Sequence, residues 1–262
     1  MNHPSLQQKP KITAYIMAKN EEDNIANAIK SLKWCDEIVV ADTGSTDKTK
    51  EIAKKEGATL IDIPFEGFGK TRNEIIKRIS SEWIVCLDAD EICSQELAQE
   101  LKQELLRNQY DAFKAPRLTF LLGQPVKHSG WYPDYRHPIA FRKNKAEYEE
   151  TNVHEKLKVM GKTKILSNHL LHYSIKDLSA YLSKLFFYTE LNARDLASNK
   201  KKKISKFKAV MHGFLRFFRH YFLKLGFLDG WPGLVIAVCS SYGSFMKYAR
   251  ALELKEQDKE GS

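Results

Sequence analysis

The sequence lacks most of what marks an exported or membrane-spanning chain. Met1 to Pro10 is polar and holds no apolar core of a secretory signal. No apolar run reaches the length of a spanning helix, and the best candidate, Leu234–Cys239, is far too short. The four cysteines, Cys35, Cys86, Cys93 and Cys239, show no metal-ligand spacing. Two lie within or beside apolar runs, so buried reduced thiols are the expectation, as in a cytoplasmic protein. Acidic residues also vanish locally. Between Lys200 and Lys224 there are nine Lys or Arg and no Asp or Glu.

What is present suits a folded chain of one large domain, or one domain with an appendage. There are 262 residues, 43% of them hydrophobic, enough for a core. The net charge of +9 points to a polyanionic partner: nucleic acid, nucleotide phosphates or an anionic membrane.

The most informative stretch is Trp83–Ile84–Val85–Cys86–Leu87–Asp88–Ala89–Asp90–Glu91. A short apolar run of this kind fits a strand buried on both faces, and here it runs into three carboxylates. Ligands of open α/β sheets bind beyond the carboxyl ends of the strands. Two close carboxylates repel unless a cation or proton separates them, and a divalent metal bound with phosphate satisfies that need. An isolated Asp–x–Asp is more often an acidic turn, here ahead of the helix expected near Ser94. The strands that precede this one decide for a site.

Those strands are Ile12–Met17, Glu37–Ala41 and Thr59–Ile63, each followed by helical spacing: Ile25, Ala28, Ile29 and Leu32; Thr49 to Glu56; Ile75, Ile76 and Ile79. A fourth helix follows through Leu97, Leu101, Leu105 and Leu106. Four strand–helix units with short loops predict an α/β fold with a mainly parallel sheet flanked by helices. The loops carry Asn20 and Glu21, then Asp42, then Asp88 and Asp90, which such a sheet gathers at one edge. After Tyr110 the pattern changes. Ala112–Leu122, Ile139–Arg142 and Lys164–Tyr173 read as extended, a mixed or antiparallel half that suits a second substrate. From Asp177 the chain is helical, with a seam through Tyr181, Leu185, Tyr188 and Leu191 or Asn192. Ile204, Phe207, Met211, Phe214, Phe218, Phe222 and Leu225 then recur at helical spacing with the basic residues on the opposite arc. That is the composition of an interfacial membrane helix.

The ordered set Ala18–Lys19–Asn20–Glu21–Glu22, Asp42–Thr43–Gly44–Ser45–Thr46–Asp47, Gly69–Lys70–Thr71–Arg72–Asn73 and Leu87–Asp88–Ala89–Asp90–Glu91 resembles family 2 glycosyltransferases of the GT-A fold. His128–Ser129–Gly130–Trp131–Tyr132–Pro133–Asp134, Val153–His154–Glu155, Leu171–His172–Tyr173 and Gly226–Phe227–Leu228–Asp229–Gly230 are similar to the lipopolysaccharide inner-core glucosyltransferases, which add β-linked glucose to heptose. The resemblance spans nearly the whole chain. It implies a catalytic domain over 1–175 (donor half about 11–110, acceptor half about 111–175) and a C-terminal helical, membrane-associating region over 176–262. It also implies an inverting transfer from a UDP-sugar to a lipid-linked saccharide. Asp42 would contact the uracil or ribose, Arg72 would lie beside the base, and Asp88 would bind ribose or sugar hydroxyls. Asp90 would hold Mg²⁺ or Mn²⁺ against the diphosphate.

Breaking a sugar–diphosphate bond leaves negative charge on the leaving group, which a metal and cationic side chains stabilise. Lys70, Arg136 and Arg142 are candidates for the cations. An inverting transfer also needs a carboxylate to take the acceptor's proton. The Glu–Asp pair common in the family's second half is missing here. Glu155 is preferred and Asp134 is the other contender, with His154 a possible metal or phosphate ligand.

Two other readings compete. A nucleotidyltransferase would carry a Gly- and Arg-rich loop after the first strand, where this chain has Lys19–Asn20–Glu21–Glu22. A nucleic-acid-binding module would need the basic segment but not its long Phe stripe, so no nucleic-acid partner is expected. The resulting expectation is a protein peripheral to the cytoplasmic face of a bacterial inner membrane, held by its anionic surface.

Overall fold

The computed structural model describes residues 10–150, 156–173, 175, 177–199 and 204–260. Along the chain, β1 (Ile12–Ala18), α1 (Ile25–Ser31), β2 (Glu37–Asp42), α2 (Thr49–Lys55), β3 (Thr59–Asp62), α3 (Phe68–Arg78) and β4 (Trp83–Asp88) form the alternating half. Next come β5 (Glu91–Cys93), α4 (Gln95–Arg107), β6 (Ala112–Lys114), β7 (Arg117–Leu121), β8 (Gln124–Pro125), β9 (Ala140–Arg142), β10 (Ala146–Tyr148), β11 (Leu157–Val159), β12 (Thr163–Ile165) and β13 (Leu170–His172). The remainder is helical: α5 (Leu178–Ser198), α6 (Lys206–Phe218), a π-turn (Arg219–Leu223), a 3₁₀ turn (Gly226–Asp229) and α7 (Gly230–Glu260).

The main sheet has the order β12-β6-β9-β4-β1-β2-β3. β3, β2, β1 and β4 are mutually parallel, and β9 runs antiparallel between β4 and β6. Period-two alternation supplies both covered faces. Ala14, Ile16, Val85 and Leu87 pack with Ile25, Ile29, Leu97 and Leu101 on one side. Tyr15, Val39, Ile84 and Cys86 pack with Ile75 and Ile76 on the other. The helices are placed by this burial, each fully buried Leu or Ile contributing about 1.5–3 kcal/mol. α4 begins where Ser94 Oγ accepts the Leu97 N–H at 3.1 Å, and it stops at Asn108 in the left-handed region, φ 56°.

Two expected strands are each divided. Ala112–Leu122 breaks between β6 and β7 at Ala115–Pro116, where proline offers no N–H to a ladder. Lys164–Tyr173 becomes β12, paired with β6, and β13, paired antiparallel with β5. The turn between them forms because Glu100 of α4 accepts the Ser167 and Asn168 N–H groups at 2.9 Å each.

The described residues group into two compact units, one within Met1–Arg117 and Asp134–His172, the other within Leu118–Pro133 and Tyr173–Ser262. In the second, α5 and α7 enclose Leu121, Val126, Tyr181, Leu185, Val235 and Ile236. The α5 seam does not continue as the spacing suggests. Tyr188 and Leu191 are exposed, and Ala193 and Leu196 are the buried positions beyond it.

Candidate functional site

Parallel register sets the site. Ala18 is level with Asp42, Met17 with Asp88, and Asp42 with Asp62. The loops leaving β1, β2 and β4 therefore open at one edge, where Asn20, Asp42 and Asp88–Ala89–Asp90 stand.

The first two loops are laced together. The Thr46 N–H donates to Asn20 Oδ1 at 2.8 Å, and the Asn20 N–H donates to Ser45 Oγ at 2.9 Å. The Glu21 N–H donates to Thr49 Oγ1 at 2.8 Å, while Glu21 Oε2 accepts Asn24 Nδ2 at 2.8 Å. Asn20 sits at φ 56°, a conformation Asn tolerates better than most residues. In this structure both residues build the wall of the site.

Asp42 is fully buried. Its Oδ2 accepts the N–H groups of Gly44 (3.0 Å) and Ser45 (2.9 Å) and lies 3.4 Å from Lys50 Nζ. The turn requires Gly44 at φ 102°, open only to glycine at little cost. Burial pushes the Asp42 carboxyl up, but the hydrogen bonds from Ser45 and Gly44 and the Lys50 charge outweigh it and leave it below the ordinary value. Its Oδ1 is buried without a hydrogen-bond partner. A carboxylate oxygen left in that state costs on the order of 1–3 kcal/mol until a donor reaches it.

The stretch Gly69–Asn73 forms the first turns of α3 and acts mainly as a clamp. A Cβ on Gly69 would run into the backbone carbonyl of Glu149. Asn73 takes both backbone groups of Tyr148, at 2.9 Å each, and so fixes β10 against α3. Arg72 faces the sheet edge. Its Nη2 is 2.6 Å from Asp88 Oδ1, its Nη1 is 3.4 Å from Tyr15 Oη, and its guanidinium lies over the Tyr148 ring. Lys70 is exposed and paired with Glu66 at 3.0 Å.

Asp88 and Asp90 differ in their surroundings. The protein packed around the half-exposed Asp88 would raise its carboxyl, and the Arg72 guanidinium overrides that, holding it below the ordinary value. The Asp88 N–H donates to Glu91 Oε2 at 2.9 Å. Glu91 is buried, and burial with the neighbouring Asp88 charge pushes its carboxyl up, offset in part by Arg117 Nε at 2.5 Å. Arg117 Nη1 in turn lies 3.6 Å from Asp134 Oδ2. Asp90 Oδ2 lies 3.5 Å from His172 Nε2. That histidine reaches the site because β13 pairs with β5 in the register His172↔Glu91.

A divalent cation fits this donor set. Asp90 offers a carboxylate oxygen and His172 an imidazole nitrogen, and no group of three or more His, Cys, Asp or Glu able to hold a metal gathers among the described residues. Mg²⁺ and Mn²⁺ bound with nucleotides commonly use one or two protein ligands and take the rest from phosphate oxygens and water.

The other expected residues divide. Asp134 is engaged by Arg117 and by Arg136 Nε at 2.8 Å, so Arg136 neutralises a carboxylate. Arg142 is not at this edge. β9 runs antiparallel to β4, which sets Arg142 beside Trp83 at the far end of the strand from Asp88. There it pairs with Glu82 and Asp111 and lies over the Trp83 ring. Its expected service to the diphosphate is therefore corrected to a structural one. His154 and Glu155 lie outside the described residues.

A buried carboxylate, Asp42, and an Asp–x–Asp turn thus stand at one edge of a mainly parallel α/β sheet. The chain belongs to glycosyl transferase family 2, whose model matches residues 13–166, and its α/β domain is GT-A-like. It is 29% identical over 256 residues to an uncharacterized glycosyltransferase of Rickettsia typhi, covering 93% of this chain and 87% of that one. It is 26% identical over 263 residues to the lipopolysaccharide core biosynthesis glycosyltransferase LpsC of Rhizobium meliloti, covering 91% and 93%. Among solved structures, glucosyl-3-phosphoglycerate synthase from Mycobacterium tuberculosis, in complex with Mn²⁺, UDP and glucosyl-3-phosphoglycerate, matches at TM-score 0.37 and 28% identity. That match covers 41% of this chain and 44% of the synthase, less than half the length of either.

Proposed function

We propose that this chain is an inverting, metal-dependent hexosyltransferase that moves a sugar, glucose by the resemblance of its motifs, from a UDP-sugar to a lipid-linked saccharide. An inner-core heptose of lipopolysaccharide or lipooligosaccharide is the acceptor that resemblance suggests. Membership of family 2 sets aside the nucleotidyltransferase reading. The likeness to LpsC over nine-tenths of the chain supports the acceptor class.

The observation that carries the reading is that Asp42 and Asp88 end β2 and β4 within one residue of level across β1, against Ala18 and Met17, with Ala89 and Asp90 following at the same edge. Asp42 Oδ1, buried without a partner, suits the N3–H donor of uracil. Arg72 holds Asp88 ionised, so Asp88 accepts hydrogen bonds from ribose or sugar hydroxyls. Asp90 and His172 would hold Mg²⁺ or Mn²⁺, which supplies positive charge to the departing diphosphate. Once Arg142 is removed from the set, Lys70 and Arg136 remain as candidate cations, paired in this structure with Glu66 and Asp134. In the transfer, a carboxylate takes the acceptor hydroxyl's proton and the acceptor oxygen bonds to the anomeric carbon. The bond from that carbon to the diphosphate breaks on the opposite face, and UDP leaves. Glu155 is proposed as the base and Asp134 as its alternative, His154 standing near the base in sequence.

A donor screen tests the class. UDP-glucose, UDP-galactose, UDP-N-acetylglucosamine and a GDP-sugar are each incubated with the protein and Mn²⁺, and nucleoside diphosphate release is measured. Release from one or more UDP-sugars and none from the GDP-sugar is expected. Release confined to the GDP-sugar would overturn the uracil assignment.

A further inference from the structure

α6 packs by its smallest residues and turns its largest ones outward. Its buried positions are Ala209 and Gly213. A Cβ on Gly213 would lie 3.2 Å from Phe245 Cβ and 3.4 Å from the Ser241 carbonyl, and Ser241 Oγ donates to the Gly213 carbonyl at 2.9 Å. α7 thus occupies the small-residue side. Phe207 and Phe214 are left 71% and 63% exposed, with Phe218 and Phe222 exposed beside them. A helix built for water would bury the phenylalanines and show the alanine and glycine.

The apolar surface does not stop with α6. After the π-turn the chain bends at Leu225, φ 53°, and the two helical arms meet at 68°. Phe227, Leu228 and Trp231 extend the exposed apolar surface beyond the bend. The bend is a built corner. Asp229, buried, accepts the Lys127 and His128 N–H groups and the Ser129 hydroxyl at 2.8–3.0 Å. His220 Nδ1 lies 2.8 Å from the Ser129 carbonyl. A Cβ on Gly226 would crowd Ser129 Oγ and the His220 carbonyl. The His128–Ser129–Gly130 and Gly226–Asp229 motifs are therefore two halves of one clamp that fixes the angle of the arms.

Charge indicates what covers this surface. From Ile204 to Leu228 there is no Asp or Glu, and Lys206, Lys208, Arg216, Arg219 and Lys224 are all exposed. A second copy seated on this surface would bring like charges together. Among the described residues no single helix is long and apolar enough to cross a membrane, and one bent pair, taken together, has the length and composition.

We infer that the bent pair from Lys206 to Trp231 seats in one leaflet of an anionic bilayer. The phenylalanines and Trp231 enter the headgroup–acyl boundary, and the lysines and arginines meet lipid phosphates. Each basic group near such a surface raises partitioning about fivefold, and salt weakens that part while the apolar part persists.

The test is co-sedimentation of the full chain with vesicles of phosphatidylcholine alone or mixed with phosphatidylglycerol, at low and high salt. The wild-type chain is compared with a triple variant, Phe207→Ser, Phe214→Ser and Phe218→Ser. These positions are exposed, and circular dichroism checks the fold. Binding to the phosphatidylglycerol vesicles, lowered about tenfold or more in the triple variant, is expected. So is quenching of tryptophan fluorescence by brominated lipid, lost in Trp231→Phe. Three results would overturn the inference: no binding to phosphatidylglycerol vesicles at low salt; equal binding by the triple variant; or a phenylalanine-dependent dimer without vesicles in sedimentation velocity. None of these readouts depends on sugar transfer.

Discussion

Arg72 Nη2 stands 2.6 Å from Asp88 Oδ1, so a cation of α3 and the first carboxylate of the Asp–x–Asp turn form one unit. Arg72 is nearly buried, whereas the Asp88 side chain is 45% exposed. The arginine spends its charge on positioning Asp88, and the open side of the carboxylate is left for substrate.

This pairing predicts coupling in a double-mutant cycle. Arg72→Met should destabilise the protein by about 1–3 kcal/mol, below the 3–5 of a fully buried pair because water screens Asp88. Asp88→Asn should cost at least as much, because it leaves the buried Arg72 guanidinium without its counter-charge, and the two together less than their sum. Urea unfolding of the four proteins measures it. A coupling under about 0.5 kcal/mol would mean the proximity carries no energy.

Asp42 predicts a pH dependence. Its carboxyl sits below the ordinary value in the folded protein, because burial is outweighed by hydrogen bonds from Ser45 and Gly44 and by the Lys50 charge. A lowered carboxylate pKa gives stability that is fully present above the unfolded value of about 3.9 and lost as pH falls through the folded one. Asp42→Asn should therefore be less stable than wild type at neutral pH, by about 1–3 kcal/mol. The difference should close in acid below about pH 4. Thermal unfolding from pH 7 downward checks this, and a gap that widens in acid would reverse the sign.

The proposed base is separable from donor binding. Glu155→Gln should abolish transfer while UDP-sugar binding, measured by calorimetry, persists. Asp134 is already engaged by Arg117 and Arg136, so Asp134→Asn should retain transfer while loosening that arginine pair. Activity in Glu155→Gln, with Asp134→Asn inactive and donor still bound, would move the assignment to Asp134.

The site edge was legible in the sequence for a physical reason. Buried parallel strands are continuous apolar runs, so their ends, and the polar loops at Asn20, Asp42 and Asp88, show in one dimension. Arg142 was misplaced because strand direction is invisible locally; only the pairing of β9 with β4 reveals that it stands beside Trp83. His172 is a similar case. Leu171–His172–Tyr173 stood out as a motif, but its nearness to Asp90 depends on β13 turning back along β5, and Glu100 of α4 sets that turn. The outward face of α6 was half legible. Periodicity gave the aromatic stripe, while the choice of which side faces α7 rests on Gly213 and its approach to Ser241.

The most direct measurement of the central proposal is turnover of the preferred UDP-sugar with Mn²⁺, with excess EDTA, and with Mn²⁺ restored, in wild type, Asp90→Asn and His172→Gln. The account predicts that EDTA stops wild-type turnover and Mn²⁺ restores it. Asp90→Asn should lose about a hundredfold or more at unchanged thermal stability, and His172→Gln should need about tenfold or more Mn²⁺. Full activity in EDTA, or wild-type turnover in Asp90→Asn, would contradict it.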